Sequence, residues 1–238
     1  MNELLREKSL WAASALCFAV LVIGFPYDQI KLPLQTGAFL KLYQEALGTQ
    51  MVLFCIPIVS VLPVGAVFVK ESAGGFLKLY IHRISRAEYI RRKTVQVYVG
   101  GILPFFFAGI LGVLVCFLGL YPLELKGELA AADLWKAALL LLRICLIGGI
   151  TAEASGIFAA LSRNYYMAYG LPFVCYYLLV ILKERYLPEL YAMYPGEWIA
   201  LEQGWGADGS GIWWLLAAGS LAMGLLHELA LYVRLKEI

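Results

Sequence analysis

Six apolar runs, each long enough to cross a lipid bilayer, constrain this chain more than any other feature of its sequence. They cover residues 10–27, 51–69, 95–121, 137–161, 165–182 and 212–233. The hydrocarbon core of a bilayer is about 30 Å thick and is spanned by roughly 20 helical residues. Only 15% of the 238 residues are charged, which excludes an ordinary soluble domain. The sequence therefore predicts an all-α integral membrane protein with six transmembrane helices, in which residues 1–238 form a single domain.

The longest basic segment of the chain, residues 70–93, lies between the second and third runs. It contains seven Lys or Arg residues and two acids. Loops rich in Lys and Arg stay on the cytoplasmic side of a membrane. With this segment inside and six spans, both termini are cytoplasmic, and twelve cations fall inside against six outside. Residues 162–164 then form a tight cytoplasmic turn between the fourth and fifth spans.

The segment before the sixth run, residues 183–211, is rich in aromatic and apolar side chains. Its aromatic residues include Tyr186, Tyr191, Tyr194, Trp198 and Trp205. This composition is typical of a helix in the membrane interface, so we expect an extracellular interfacial or re-entrant helical segment here. The Pro195-Gly196 step is expected to break it into two pieces. A loop with aromatic interface anchors is the alternative.

Four ionisable side chains lie within the predicted spans, where such groups are the first functional candidates. Arg143 is near the outer boundary and is expected to extend toward it, while His227 and Glu228 are expected to reach the inner interface. Glu153 needs a partner or a water-filled cavity. Because Arg143 and Glu153 are ten residues apart, about 15 Å along a helix, they cannot pair with each other. Both are candidates for a translocation path, with a structural role as the alternative.

Several catalytic motifs are absent from the sequence. No Gly-x-x-x-x-Gly-Lys-Ser/Thr occurs, so a nucleotide site would have to lie on a separate chain. No second histidine follows His227 at the spacing of a zinc protease, and the other histidine is His82. We expect no histidine from another span to meet residues 153–156, whose Ser155 and Gly156 allow close helix packing. With only these two histidines, a di-histidine metal site within one helix is not predicted. Nucleic-acid binding is not predicted either, since the positive-inside rule already explains the basic segment.

The order of residues around the basic segment follows a recognisable pattern. An aromatic residue and a Glu end the second span, glycines follow, and a Ser-Arg step, a Tyr and a Lys lead into the third span. These positions are Phe68, Glu71, Gly74 or Gly75, Ser85-Arg86, Tyr89 and Lys93. The pattern resembles that of ABC transporter permeases of the type-2 exporter family, although Arg83-Ile84 stands where family members often have Pro. Residues 162–173 and 194–199 resemble that family's second cytoplasmic turn and its last extracellular piece.

The resemblance implies a permease subunit of an ATP-driven exporter in the bacterial plasma membrane, which is not by itself an enzyme. Two permeases, alike or different, pair in the lipid bilayer, and two ABC ATPase subunits carrying ATP and magnesium dock on their loops. Residues 76–83 would form a cytoplasmic coupling helix. The residues expected to couple to the ATPase are Glu71, Gly74, Gly75, Phe76, Tyr80, Arg83, Ser85, Arg86, Tyr89, Lys93, Arg163 and Asn164.

Two other classes of function stay open at this point. A membrane scaffold or sensor subunit would bind a cytoplasmic partner through the same loop without moving a substrate. An intramembrane enzyme would depend on Glu153 or His227 for its chemistry. The sequence indicates no particular substrate.

Overall fold

The chain is helical along most of its length in the computed structural model, which describes residues 2–30, 32–74, 77, 83–125, 127, 130–206 and 209–236. Within these ranges the α-helices are α1 (Asn2–Arg6), α2 (Lys8–Ile23), α3 (Ala38–Leu47), α4 (Gln50–Val59), α5 (Val67–Ala73), α6 (Arg86–Leu120), α7 (Ala131–Ser162), α8 (Tyr165–Arg185), α9 (Pro195–Ala200) and α10 (Gly211–Lys236). Short 3₁₀ helices cover Tyr27–Gln29, Tyr121–Leu123 and Tyr191–Met193.

Four helices, α6, α7, α8 and α10, are long and apolar enough to cross a membrane by their length and composition. A fifth crossing results if α3 and α4, which are bent by 56° at their junction, are one span. The apolar helix α2 is shorter, with 16 residues. The chain is therefore an all-α, multi-pass membrane protein. The predicted helical hairpin is confirmed, because α7 ends at Ser162 and α8 begins at Tyr165.

The long helices alternate in direction. Along α6, Gly101 meets Gly148 of α7 whereas the later Gly109 meets the earlier Leu141, so these two helices are antiparallel. Helix α8 returns antiparallel to α7 through the short turn. Helix α10 runs parallel to α7, because His227 and Arg234 bond to residues of α7 in the same order along both helices.

This alternation gives the bundle two distinct ends. Lys93, Arg163 and Arg234 lie at the end where α6 begins and where α7 and α10 finish; we call it the basic end. Glu124 and Glu197 lie beyond the opposite ends of these helices, which we call the cap end.

Helices α6 and α7 approach closely through small residues. A Cβ atom placed on Gly101 would lie 2.6 Å from the carbonyl oxygen of Gly148 and would also collide with the Cβ of Ala152. A Cβ on Gly148 would lie 2.8 Å from the carbonyl oxygen of Gly101 and 2.6 Å from the ring of Phe105. Small residues at a membrane helix crossing allow backbones to pack by direct van der Waals contact. Helix α7 also packs against α3, α4, α5, α8, α9 and α10, so it is the centre of the bundle.

The sequence had predicted one continuous helix for the second apolar run, and this prediction is wrong. Helix α4 ends at Val59, and residues 60–66 form turns before α5 begins at Val67. Pro63 has no backbone N–H, so the carbonyl one turn earlier would lose its partner in a helix. The chain turns instead, with the Gly65 N–H donating to the Val61 carbonyl at 2.7 Å. A side chain at Gly65 would meet the Ser155 hydroxyl at 2.7 Å, so the turn lies directly against α7.

Helix α3 lies in a segment for which the sequence had predicted only an outer connection. Its apolar residues Phe39, Leu40, Tyr43 and Leu47 recur at helical spacing and are buried. The start of α3 is capped by Glu124, whose carboxylate accepts from the Gly37 N–H at 2.9 Å and the Phe39 N–H at 2.6 Å. A negative group at a helix N-terminus satisfies free amides and complements the helix dipole. This carboxylate fixes α3 against the cap end of α6.

The aromatic segment before α10 contains the expected helical pieces. The 3₁₀ helix Tyr191–Met193 is followed by α9, and the break falls just before Pro195, which occupies the first turn of α9. Helix α9 packs on α7 and α8 with Pro195, Gly196, Glu197 and Ile199 buried. The Glu197 carboxylate accepts from the Gln203 N–H at 2.6 Å and from the Trp205 indole at 3.2 Å, which folds the following residues back over α9.

The glycine contact between α6 and α7 gives a direct test of this packing. We expect Gly101→Ala to lower the free energy of unfolding by about 1–3 kcal/mol, since the new methyl group forces two backbones apart. Gly119→Ala in the same helix is the matched control, because nothing lies within 4 Å of its Cβ position. That control should be neutral or stabilising by up to about 1 kcal/mol, because Ala favours a helix over Gly. Thermal unfolding in maltoside micelles measures both, and equal effects of the two substitutions would contradict the close crossing.

Candidate functional site

The basic segment is anchored to the bundle by a carboxylate at the end of α5. Glu71 accepts a hydrogen bond from the Tyr89 hydroxyl and another from the Lys93 ammonium, both at 2.7 Å. Lys93 also donates to the Gln96 side chain at 2.9 Å. Tyr89, Lys93 and Gln96 are spaced by four and three residues, so they share one face of α6. Only 6% of Lys93 is exposed, whereas 21% of the Glu71 side chain is exposed, so this ion pair is partly shielded from water.

We call Glu71, Tyr89 and Lys93 the loop anchor. Breaking a shielded ion pair leaves one charge uncompensated, which is far more unfavourable than losing an exposed pair. The neighbouring pair of Glu88 with Arg92 is of the exposed kind. The loop anchor therefore holds the two flanks of the basic segment together and fixes where the intervening residues leave the bundle.

The other expected coupling residues are only partly placed by the structure. Gly74 ends α5, with its N–H donating to the Lys70 carbonyl at 2.9 Å. Ser85 caps α6 by accepting from the Glu88 N–H at 3.3 Å, and Arg86 is the exposed first residue of that helix. Arg83 is also exposed. Gly75, Phe76 and Tyr80, with most of the predicted coupling helix 76–83, lie outside the described residues.

The second turn, expected to act with the first, lies at the same end of the bundle. Arg163 ends α7 in the left-handed conformation (φ 52°), and the Asn164 side chain caps α8 by accepting from the Tyr166 N–H at 2.8 Å. Arg234 of α10 donates to the carbonyls of Ala160 and Leu161 at 3.1 and 2.7 Å, which satisfies the end of α7. One apolar cluster joins this turn to the loop anchor; its members include Phe68, Val69, Tyr89, Ile90, Ala159, Ala160, Ala168 and Leu231.

Glu153 has a partner that the sequence did not predict. Its Oε2 atom forms a hydrogen bond with Nδ1 of His227 on α10, and both side chains are fully buried. The expectation that His227 reaches the inner interface is wrong, as is the expectation that no histidine from another span meets residues 153–156. Gly156, one turn beyond Glu153, makes the contact possible, because a Cβ atom there would lie 2.6 Å from Nε2 of the imidazole ring.

A periodic pattern in α10 was the signal that sequence reasoning overlooked. Ser220, His227 and Arg234 are spaced by seven residues, so they lie along one face of the helix. Each contacts a neighbouring helix: Ser220 accepts from the Tyr98 hydroxyl of α6 at 2.9 Å, and the other two bond to α7. Polar side chains that bond across membrane helices act as fixed points between them. This face of α10 is therefore its attachment to the bundle.

The pair of Glu153 and His227 is incompletely satisfied. Glu153 Oε1 and His227 Nε2 are buried and have no hydrogen-bond partner in the part of the chain that the structure describes. The shared bond joins an acid and a base that can each hold the proton, so the pair has no net charge whichever group carries it. This permits a buried acid in an apolar bundle, where an isolated charge would be expelled.

Arg143 is the third ionisable side chain, after Glu153 and His227, that lies buried within the predicted spans. It lies on α7 with 8% of its surface exposed, so it does not extend freely into water as the sequence suggested. Its Nε and Nη1 atoms are buried without an acceptor among the described residues. An unsatisfied buried donor costs about 1–3 kcal/mol, and more when it belongs to a charged group. Within the described ranges, no three His, Cys, Asp or Glu side chains are grouped to hold a metal ion.

No protein-family model and no curated protein sequence matches this chain.

The buried pair can be tested by a double-mutant cycle. We expect Glu153→Ala and His227→Ala each to destabilise the protein by about 3–5 kcal/mol, because either change leaves the other group buried alone. The double variant should lose less than the sum, with a coupling of roughly 1–3 kcal/mol. Glu228→Ala, next to His227 but only half-buried, is the control and should have a small effect. Thermal unfolding in maltoside micelles provides the readout, and strictly additive losses would show that the two side chains do not interact.

Proposed function

We propose that this chain is the membrane-spanning permease subunit of an ABC exporter, which works as a dimer and couples to a separate ATPase through residues 70–93. ATP and magnesium bind to the ATPase, and this chain supplies the pathway. The observation that carries the proposal is the loop anchor, which connects a basic loop at one end of the bundle to two helices through partly buried charged contacts.

The loop anchor suits a loop that must transmit force. A partner that pushes on a flexible loop moves only the loop, whereas a loop fixed at both flanks passes the displacement to the helices that hold it. Lys93 and Tyr89 belong to α6, and α6 packs against α7 through the contact of Gly101 with Gly148. A displacement of the basic segment would thus move α6 and α7 at the centre of the bundle.

The proposed topology has six spans with both termini in the cytoplasm. Helix α2 supplies the first span, the interrupted segment from α4 to α5 supplies the second, and the four long helices supply the rest. Their alternating directions bring Lys93, Arg163 and Arg234 to one end, and the positive-inside rule supports a cytoplasmic location for that end. We propose that the membrane is a bacterial plasma membrane. In this proposal residues 76–83, most of which lie outside the described residues, form the coupling helix, and α9 lies at the extracellular interface.

A second permease, the same or different, is part of the proposal. Helices α8 and α10 leave most of their apolar surface uncovered, since only 17% and 22% of their most apolar stretches are buried within the chain. Lipid covers part of such a surface, and a paired subunit would cover the rest. The substrate pathway would then form between the two copies.

Purification from the native host in a mild detergent tests the proposal first. We expect a stoichiometric ATPase with a phosphate-binding P-loop to co-purify with the tagged chain, and mass spectrometry to identify it together with any second permease. If no ATPase is found under conditions that preserve a known ABC complex, the proposal is wrong, and a scaffold or sensor role replaces it.

Variants of the loop test the coupling assignment separately. Arg86→Ala removes an exposed cation from the coupling set and should reduce recovery of the ATPase roughly tenfold, as for a loss of about 1.4 kcal/mol in binding. Arg91→Ala, which removes another exposed arginine five residues further along α6, is the charge-matched control and should retain the ATPase. Quantitative mass spectrometry compares them, and equal recovery from both variants would exclude a specific role for Arg86.

A further inference from the structure

Arg143 is buried on α7, with 8% of its surface exposed. It is twelve residues from the start of α7, about 18 Å along the helix, and still further from the end of α7. Its neighbours on the same face of α7, Leu140 and Ile147, are buried in the main apolar core. The guanidinium group therefore has an apolar environment.

Among the described residues, four acids of α7 and the cap end are engaged elsewhere. At the cap end, Glu124 accepts from two backbone amides of the α3 N-terminus, and Glu197 accepts from Gln203 and Trp205. Asp133 pairs with Lys136 at 3.5 Å on the first turn of α7. Glu153 is bonded to His227 and is about 15 Å away along the helix.

An arginine in an apolar environment cannot become neutral by losing its proton. The guanidinium group remains charged in proteins, unlike a buried lysine. Its planar array of N–H donors matches two oxygens of a carboxylate or phosphate, and such paired contacts are strongest where water is excluded. The Nε and Nη1 atoms of Arg143 are buried and have no acceptor among the described residues, so this arginine is suited to an anion that arrives from outside the chain.

We propose that Arg143 is a binding site for an oxyanion, a carboxylate or phosphate group, inside the membrane-spanning bundle. That this anion belongs to the transported substrate rests on the proposed transport function, which then selects cargo with an acidic group. The anion site itself does not depend on that function. A phosphate headgroup of a membrane lipid and a small soluble anion offer the same chemistry, and experiment distinguishes them.

The test uses the purified full chain in dodecyl maltoside, whose headgroup is uncharged. Thermal unfolding is followed while inorganic phosphate, or phosphatidylglycerol in mixed micelles, is added against sodium chloride of equal ionic strength. A ligand that binds only the folded state raises the midpoint with its concentration, and near saturation we expect a rise on the order of 5 °C. A response to phosphate alone identifies a small soluble anion, and a response to phosphatidylglycerol alone identifies a lipid headgroup.

Two variants show whether the response depends on Arg143. Arg143→Met should abolish it, while the unliganded variant should be as stable as the unliganded wild type or more so, because an uncompensated buried charge has been replaced by an apolar chain. Lys136→Met removes an exposed cation from the same helix and should retain the response. Arg143→Lys should weaken it, because an ammonium group cannot make the paired contact.

Several results would overturn the anion site. One is the absence of any rise with either probe in the wild type, and another is a response of Arg143→Met equal to that of the wild type. A third is that Arg143→Met, without any anion, unfolds at a lower temperature or fails to fold, which would mean that the guanidinium group has a structural partner such as an acid of a second copy. These measurements need no ATPase, so they fail or succeed independently of the co-purification that tests transport.

Discussion

The close approach of α6 and α7 at Gly101 and Gly148 is the contact on which the rest of the bundle depends. In a membrane, apolar side chains gain little by leaving lipid for protein, so tight packing and interhelical hydrogen bonds hold helices together. Small residues of α7 supply the space for both. Gly148 receives the ring of Phe105, Gly149 lies against the ring of Tyr98, and Gly156 receives the imidazole of His227. A bulkier α7 would separate α6 and α10 from the centre and remove their polar contacts with it.

Much of the architecture was readable from apolar run length, because a membrane-spanning helix must satisfy its backbone internally and be apolar throughout. The hairpin of α7 and α8 followed from the polar residues Ser162, Arg163 and Asn164 between two runs, and the helical pieces before α10 followed from their aromatic content. In these cases the local sequence is sufficient, since neither feature depends on a distant residue.

The features that sequence reasoning missed depend on contacts between distant segments. Helix α3 has a periodic apolar face, but its N-terminus is capped by Glu124, more than 80 residues away in the chain. The turn after α4 follows the local effect of Pro63, yet its position against Ser155 is set by packing. The partner of Glu153 could have been suspected only from the seven-residue spacing of Ser220, His227 and Arg234, which was visible but not used.

The parallel contact of α7 with α10 also limits how the bundle can change shape. A helix held at a single point can pivot about it, but α10 is bonded to α7 at His227 and again at Arg234, two turns apart on the same face. Two separated bonds prevent α10 from sliding along α7 or tilting against it, so the two helices form one rigid unit. Any change in the shape of the bundle must then occur at the other helix contacts, at α2, α4 and α8, while α7 and α10 move as a unit.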